Sequence, residues 1–318
     1  PDEKWFTGAG NLNCGTALST GMTPITQTAT RPAKVRQITR ACVIINPNGG
    51  SVPADGRQIM EALLDDMSVS ASFEMIDHDC EAACQRALEQ EADTIVVWGG
   101  DGTAACALNT LGPDDPPILP LPGGTMNMLH KFVHGSDLDP GTCLKAVLEN
   151  PVEMDIAAGE VLERRFYVGA LLGGLTRLAA PREALRQADL LQAVTELNES
   201  NAFGLDTPMR CVADTGNQHD AQALGIFLSE DPHRPGFDVL ATAPEGLLDL
   251  AYTGLTGPLA DWRHAWGVER DFASRIDVEA LESTGIEATL DGEPVTLPRN
   301  ARFVLVRKAA RVLTARKA

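Results

Sequence analysis

Between residues 40 and 135, short apolar runs alternate with apolar residues spaced four apart. The β-branched run VII at 43–45 stops at NPNGG, 46–50, which predicts a strand closed by a turn. In RQIMEALLDDM (57–67), Ile59, Leu63 and Met67 fall at four-residue steps, the spacing of one helix face. SASFEMID (70–77) predicts a second strand, CEAACQRALEQEAD (80–93) a second helix, and DTIVVW (93–98) a third strand. AACALNTL (104–111) reads as helix, PPILPLPGGT (116–125) as a short strand cut by glycines, and MNMLHKFVHG (126–135) as helix. Strand and helix in alternation predict a parallel sheet with crossover helices, whose ligands sit outside the carboxyl ends of the strands.

The pattern changes after Asn150-Pro151. Short runs such as FYVGALLGG, ALGIFLSE, FDVLATA, LLDLAYTG, IEATLDGEPV and ARFVLV are separated by turn residues. Only 181–197 and 261–268 look helical there. The expectation is an α/β protein: an NAD-kinase-like α/β nucleotide-binding domain over 39–155, then an antiparallel β-sandwich over 156–295. The C-terminal segment 296–318 is expected to return to the first domain. Residues 1–38, rich in Gly, Thr, Ser and Pro without a steady period, read as a loosely ordered extension.

Charge narrows the partners. The chain carries 26 basic and 44 acidic residues, a net charge of −18, the wrong balance for a nucleic-acid binder. The tail 299–318 is the exception, with seven Arg or Lys and no acid. It reads as an exposed strand pair, with contact to an anionic membrane surface as the alternative. Seven scattered cysteines without CxxC spacing suggest reduced thiols rather than disulfides or zinc. Cys80 and Cys84 are four apart on a predicted helix, but two ligands do not make a metal site. No run approaches the length of a transmembrane helix, and the start has no signal-like architecture.

Three glycine turns, 46–50, 99–103 and 123–125, end predicted strands. Such turns expose backbone N–H groups that can converge on an anion. In WGGDGT, Asp101 would oppose a phosphate unless a cation lay between them, which points to nucleotide phosphates with Mg²⁺. A plain tight bend explains the same residues, and the residues alone leave both readings open. Walker A, HExxH, GxSxG and protein-kinase motifs are missing. His130 and His134 have metal-ligand spacing, yet with no acidic or Cys partner nearby they read as a solvated helix face.

Five blocks in order resemble the diacylglycerol-kinase catalytic family, which includes diacylglycerol, sphingosine and ceramide kinases and their bacterial lipid-kinase relatives. NPNGG at 46–50 is similar to its NPxSG turn, and Gly99 to Thr103 to its GGDGT. LPLPGGTMNMLHK (119–131) is similar to its IPxGTxND block, GFDVLATAPEGLLDL (236–250) to its PxAxxxDGxLD segment, and Leu290-Asp291-Gly292-Glu293 to its late DGE motif. The resemblance implies a two-lobed lipid kinase. ATP would be held by Asn46, Gly50, Gly99, Gly100, Gly102, Thr103, Gly124, Thr125, Asn127 and Lys131. Mg²⁺ would be held by Asp101 with Glu245 and Asp249, and Glu293 would be the base that deprotonates an acceptor hydroxyl. The substrate would be a membrane lipid of the diacylglycerol or sphingoid/ceramide kind. The protein would be cytoplasmic and touch the inner face of the membrane peripherally; a homodimer is compatible with the sequence.

Four positions depart from the family pattern. Cys106 and Met128 stand where acids are usual, Gly49 replaces a serine, and Glu245 replaces an aspartate. Losing a carboxylate that acts on Mg²⁺ through water weakens metal binding about 10–100-fold. A nucleotide- or lipid-binding protein with little kinase activity is therefore the alternative, with a soluble NAD-kinase-type enzyme behind it. Apolar residues Leu171, Leu172 and Leu175, the 181–197 helix, and Trp262 with Trp266 could serve a lipid groove or a core equally.

Overall fold

A computed structural model describes residues 37–76, 79–173, 176, 208–229, 231, 233–242 and 268–315. All of them fall in one compact unit, Arg31–Ala318. The sequence-predicted helices at 181–197 and 261–268, Trp262 and Trp266, and the motif acids Glu245 and Asp249 lie almost wholly outside the described residues; only Val268 is inside.

The first half is the alternation that the hydrophobic pattern predicts. Strands β1 (Arg40–Ile45), β2 (Ser70–Met75), β3 (Thr94–Gly99) and β4 (Ile118–Pro122) pair in parallel in the order β2-β1-β3-β4. Helices α1 (Gly56–Asp66), α2 (Cys80–Leu88), α3 (Asp101–Thr110), α4 (Met128–His134) and α5 (Pro140–Glu149) cover its two faces. Successive side chains of a strand point to opposite faces, and β1 shows the result. Cys42 and Ile44 meet the layer that includes Cys84, Leu108 and Val133, whereas Val43 and Ile45 meet Met60, Leu64 and Leu144. Burial on both faces is why β1 and β3 are apolar without alternation.

Two local expectations need correction. The inner face of α1 is Gly56, Met60 and Leu64, one residue on from the expected stripe, and Ile59 is 39% exposed. The close approach of Trp98, whose ring carbon would lie 3.0 Å from a Cβ on Gly56, sets this rotation. Helix α5 is an element that the apolar pattern passes over. Its signal is at the start: Asp139 accepts from the Thr142 N–H at 3.0 Å, and Pro140 occupies the first turn, a standard helix opening.

The second half is a sandwich of two sheets. One is all antiparallel: β12 (Val268–Ala273), β11 (Phe237–Thr242), β10 (Ala223–Leu228), β7 (Gly169–Gly173), β14 (Gly285–Leu290) and β15 (Glu293–Pro298), in that order. The other is a continuation of the first sheet beyond β4, in the order β16 (Asn300–Thr314), β13 (Arg275–Ala280), β8 (Met209–Ala213) and β9 (Gln218–Ala221). Strands β5 (Val152–Val161) and β6 (Arg164–Phe166) branch from β16. Phe166, Phe237 and Phe303, all 0% exposed, meet in the core between the layers, Phe237 stacked on Phe166 and Phe303 edge-on to it.

The basic tail is not an exposed strand pair. Strand β16 lies inside the sheet, parallel to β4 at Val312–Ile118 and antiparallel to β13 and β5. Three of its four basic residues are matched: Arg302 meets Asp277 at 2.6 Å, Lys308 meets Asp155 at 2.9 Å and Arg311 meets Glu153 at 3.7 Å. Just before it, Arg299 meets Glu279 at 3.4 Å.

Candidate active site

The three glycine turns converge at the carboxyl ends of β1, β3 and β4, and backbone contacts hold them together. The Asn46 N–H donates to the Trp98 carbonyl at 2.9 Å, Gly123 N–H to Gly99 O at 2.8 Å, and Ser51 N–H to Gly123 O at 3.1 Å. The Ser51 hydroxyl adds a bond to Gly124 O at 3.1 Å, and the Trp98 indole N–H donates to Pro122 O at 3.0 Å.

Most of these glycines answer to the protein itself. A Cβ on Gly123 would lie 2.8 Å from Gly99 Cα, one on Gly124 2.7 Å from Gly100 Cα, and one on Gly49 2.6 Å from Gly123 O. The family serine therefore has no room at Gly49. Gly102 is different. It is exposed, and a Cβ there would meet nothing within 4 Å. No described residue requires a glycine in this first turn of α3, so the open space beside it is where a ligand would lie. We expect Gly102→Ala to raise stability by about 0.5–1 kcal/mol while weakening ATP binding in calorimetry. Gly124→Ala should lower both, because two backbones would have to part.

The polar side chains of the turns are mostly committed to the scaffold. The Asn46 amide donates to the Thr103 hydroxyl at 2.8 Å and accepts from the Asn48 N–H. Asn127, at φ +50°, closes its own loop by accepting from Gly124 N–H at 2.8 Å and donating to Gly124 O at 3.1 Å. The Lys131 ammonium reaches the Met126 carbonyl at 3.1 Å and Asp137 at 3.2 Å. Gly50 and Thr125 meet at the exposed rim, where a Cβ on Gly50 would be 3.4 Å from the threonine oxygen.

Asp101 opens α3 and reaches across to α4. Its Oδ1 accepts from the Leu129 N–H at 2.9 Å; no described residue bonds Oδ2. One oxygen thus fixes the α4 start, and the other is available to a cation.

On the second half, the β14–β15 hairpin turns through Asp291 and Gly292, with φ of +49° and +88°. Both central residues at positive φ make a two-residue hairpin turn, for which Asp-Gly is a favoured pair. The turn sets Glu293 directly opposite Leu290. Asp291 is also a clamp: its carboxylate accepts from the N–H groups of Tyr167, Val168 and Gly169 at 2.7, 2.8 and 2.9 Å. Its own N–H donates to Gly169 O at 2.9 Å. Burial pushes its carboxyl upward while the three N–H donors pull it down, and the charge of Asp101 adds to the rise. The two carboxylates are therefore near enough to repel.

Tyr167 completes the link. Its hydroxyl donates to the Leu108 carbonyl on α3 at 2.9 Å, and burial pushes that hydroxyl up to about 12. A chain of contacts runs from α3 through Tyr167 and Asp291 to Glu293, whose side chain is 71% exposed and pairs with Arg164 at 3.7 Å. The Asp-Gly hairpin signal could have singled out Asp291. Tyr167 carries no comparable local signal.

The histidines need correction too. His130 and His134 are each 3% exposed, not on a solvated face. Both rings meet the Pro120 carbonyl, at 3.3 and 2.9 Å, and His134 Nδ1 accepts from the Ala315 N–H at 3.1 Å. They lie within 4.8 Å of the Cys143 thiol, but His134 has spent both ring nitrogens on backbone partners. They tie α4 to β4 and the chain end.

Residues 40–158 match the diacylglycerol kinase catalytic domain, and the match takes in all three turns. Over this segment the chain is similar to that family. Solved structures show the same fold across the second half as well. One is a diacylglycerol kinase from Bacillus anthracis str. Sterne, 17% identical, covering 87% of this chain and 97% of that one with a TM-score of 0.62. Two further structures from that strain, to which the same activity is ascribed, have TM-scores of 0.64 and 0.61 at 17% identity. A comparison with curated proteins finds no match. The matched segment thus contains the glycine turns and Asp101, and the chain beyond it contains Tyr167, Asp291 and Glu293.

Proposed function

We propose that the protein is an ATP-dependent lipid kinase that transfers the γ-phosphoryl group to a hydroxyl of a diacylglycerol-like or sphingoid/ceramide-like lipid. One observation carries this reading. Gly102, where an added Cβ would meet no described atom within 4 Å, sits beside Asp101, and Tyr167 and Asp291 tether the same helix to the hairpin bearing Glu293. The triphosphate would rest on the open side of the turns. Glu293, free of burial, would accept the proton of the lipid hydroxyl as the phosphoryl group is transferred.

The donor set fits magnesium. A carboxylate oxygen that no described residue bonds and two carboxylates in mutual repulsion favour a hard divalent cation. When bound with ATP, the ion offsets phosphate charge, and Asp101 would hold it. Glu245 and Asp249, outside the described residues, remain the proposed additional ligands.

The acceptor is expected to come from a membrane surface. The contact we propose is peripheral; among the described residues no helix is long and apolar enough to cross a membrane. A second reading, nucleotide binding with little transfer, is favoured by Met128 and Cys106, which offer the cation no oxygen. A phosphorylation screen of lipid extract with Mg-ATP decides between them. Labelled diacylglycerol, ceramide or sphingoid base supports the kinase. ATP-dependent thermal stabilisation without any labelled lipid overturns it.

A further inference from the structure

Two hairpin tips meet beside the candidate base. The β14–β15 turn passes through Asp291 and Gly292, and Glu293 is the first residue after it. The β5–β6 turn has the same form. Leu162 and Glu163 are its two central residues, at φ +50° and +61°, and Arg164 follows them, opposite Val161. Asn-Gly or Asp-Gly is the favoured filling of such a turn; leucine and glutamate adopt this backbone at a cost. The two tips are locked together, because the Asp291 carboxylate accepts from the N–H groups of Tyr167, Val168 and Gly169 just beyond β6. Arg164 and Glu293 are thereby brought to 3.7 Å.

The β5–β6 hairpin carries two adjacent arginines with different commitments. Arg165 donates from Nε to Glu160 at 3.1 Å. Arg164 is half-exposed, and its 3.7 Å approach to Glu293 is longer than the roughly 2.7–2.9 Å of a charge-assisted hydrogen bond. Its guanidinium donates to no other described residue, so the fork of N–H groups is open to a ligand. Lys131, the cation of the nucleotide turns, is already held by the Met126 carbonyl and Asp137.

We propose that Arg164 is a phosphate-binding residue that takes hold of the phosphoryl group once it is on the lipid. The inference rests on the kinase reading and deepens it. In the transfer, the lipid oxygen bonds to the γ-phosphorus, and the bond from that phosphorus to ADP breaks with its electron pair leaving on ADP. The hydroxyl proton goes to Glu293, which becomes a neutral carboxyl group. Arg164 loses the charge of its partner just as a phosphomonoester forms beside it. A guanidinium fork matches two phosphate oxygens at once. Arg164 therefore changes partners, from carboxylate to phosphomonoester, in step with the reaction.

The test is calorimetry on the full-length chain with Mg-ADP. The probes are short-chain phosphatidate, ceramide phosphate and sphingoid-base phosphate, each beside its unphosphorylated parent. We expect at least one phosphorylated lipid to bind more tightly than its parent. Arg164→Ala should weaken that binding about tenfold or more, the scale of hydrogen bonds to a charged group, and leave affinity for the parent and for ATP unchanged. Arg164→Lys should restore part of it. Glu293→Gln, which frees Arg164 of its carboxylate, should tighten it about two- to fivefold. A role in folding alone would not move the two variants in opposite directions, and urea unfolding checks that each remains folded. Wild type that binds phosphorylated lipid and parent equally, or binds neither, would overturn the proposal. So would an Arg164→Ala variant that keeps the preference or loses ATP affinity by the same factor, or a Glu293→Gln variant that binds the phosphorylated lipid less tightly. The kinase reading fails on the labelled-lipid screen and this proposal on binding, so each can fail alone.

Discussion

Glu293→Gln leaves ATP binding intact and lowers transfer to lipid by about 10²–10⁴-fold, the usual worth of a placed general base. Glutamine keeps the size and polarity of the side chain but cannot accept the hydroxyl proton. The change should cost little stability. The side chain is 71% exposed, and its pairing with Arg164 at 3.7 Å is of a kind worth at most about 1 kcal/mol. The hairpin is fixed by Asp291, not by Glu293, so the variant reports chemistry and not folding. Single-turnover transfer and calorimetric ATP binding, measured on the same preparation, separate the two. Turnover equal to wild type would remove Glu293 from the mechanism.

Asp291→Asn is expected to be harmful in both respects. Asparagine tolerates the left-handed backbone at φ +49° as well as aspartate does, so the substitution isolates the carboxylate. An amide presents one oxygen and one NH₂ where three N–H donors converge. At least one donor is left facing another. Leaving such a group unpaired costs about 1–3 kcal/mol, and bonds to a charged acceptor are stronger still. We expect a loss of about 2–4 kcal/mol in urea unfolding. Transfer should fall while ATP affinity changes less, because Tyr167 and the hairpin would shift relative to α3. A variant with unchanged stability and turnover would show that the clamp does not position Glu293.

Local signals gave away what is local. The β-branched runs of β1 and β3, the glycine turns at their ends and the Asp-Gly hairpin are each written within a few residues, because strand propensity and turn chemistry act at that range. The face of α1 was misjudged by one residue because four-residue spacing fits two adjacent stripes, and only contact with Trp98 chooses between them. The burial of His130 and His134 depends on the Pro120 carbonyl and the returning chain end, which no helix pattern displays. The reason for most of the glycines was also hidden. Sequence suggests room for phosphate, and the structure shows that the backbone of a neighbouring turn occupies that room at Gly49, Gly123 and Gly124, whereas Gly102 is open.

The place of β16 has a consequence for biosynthesis. This strand borders β4 of the nucleotide-binding half through residues more than 190 positions later in the chain. A ribosome that has made the parallel strands has not yet made the one that seals their edge, and the first half waits, with that edge bare, until nearly the last described residue has emerged. Closing so long a loop is slow. Expressing the first half alone would therefore be expected to yield an aggregating fragment rather than a minimal kinase.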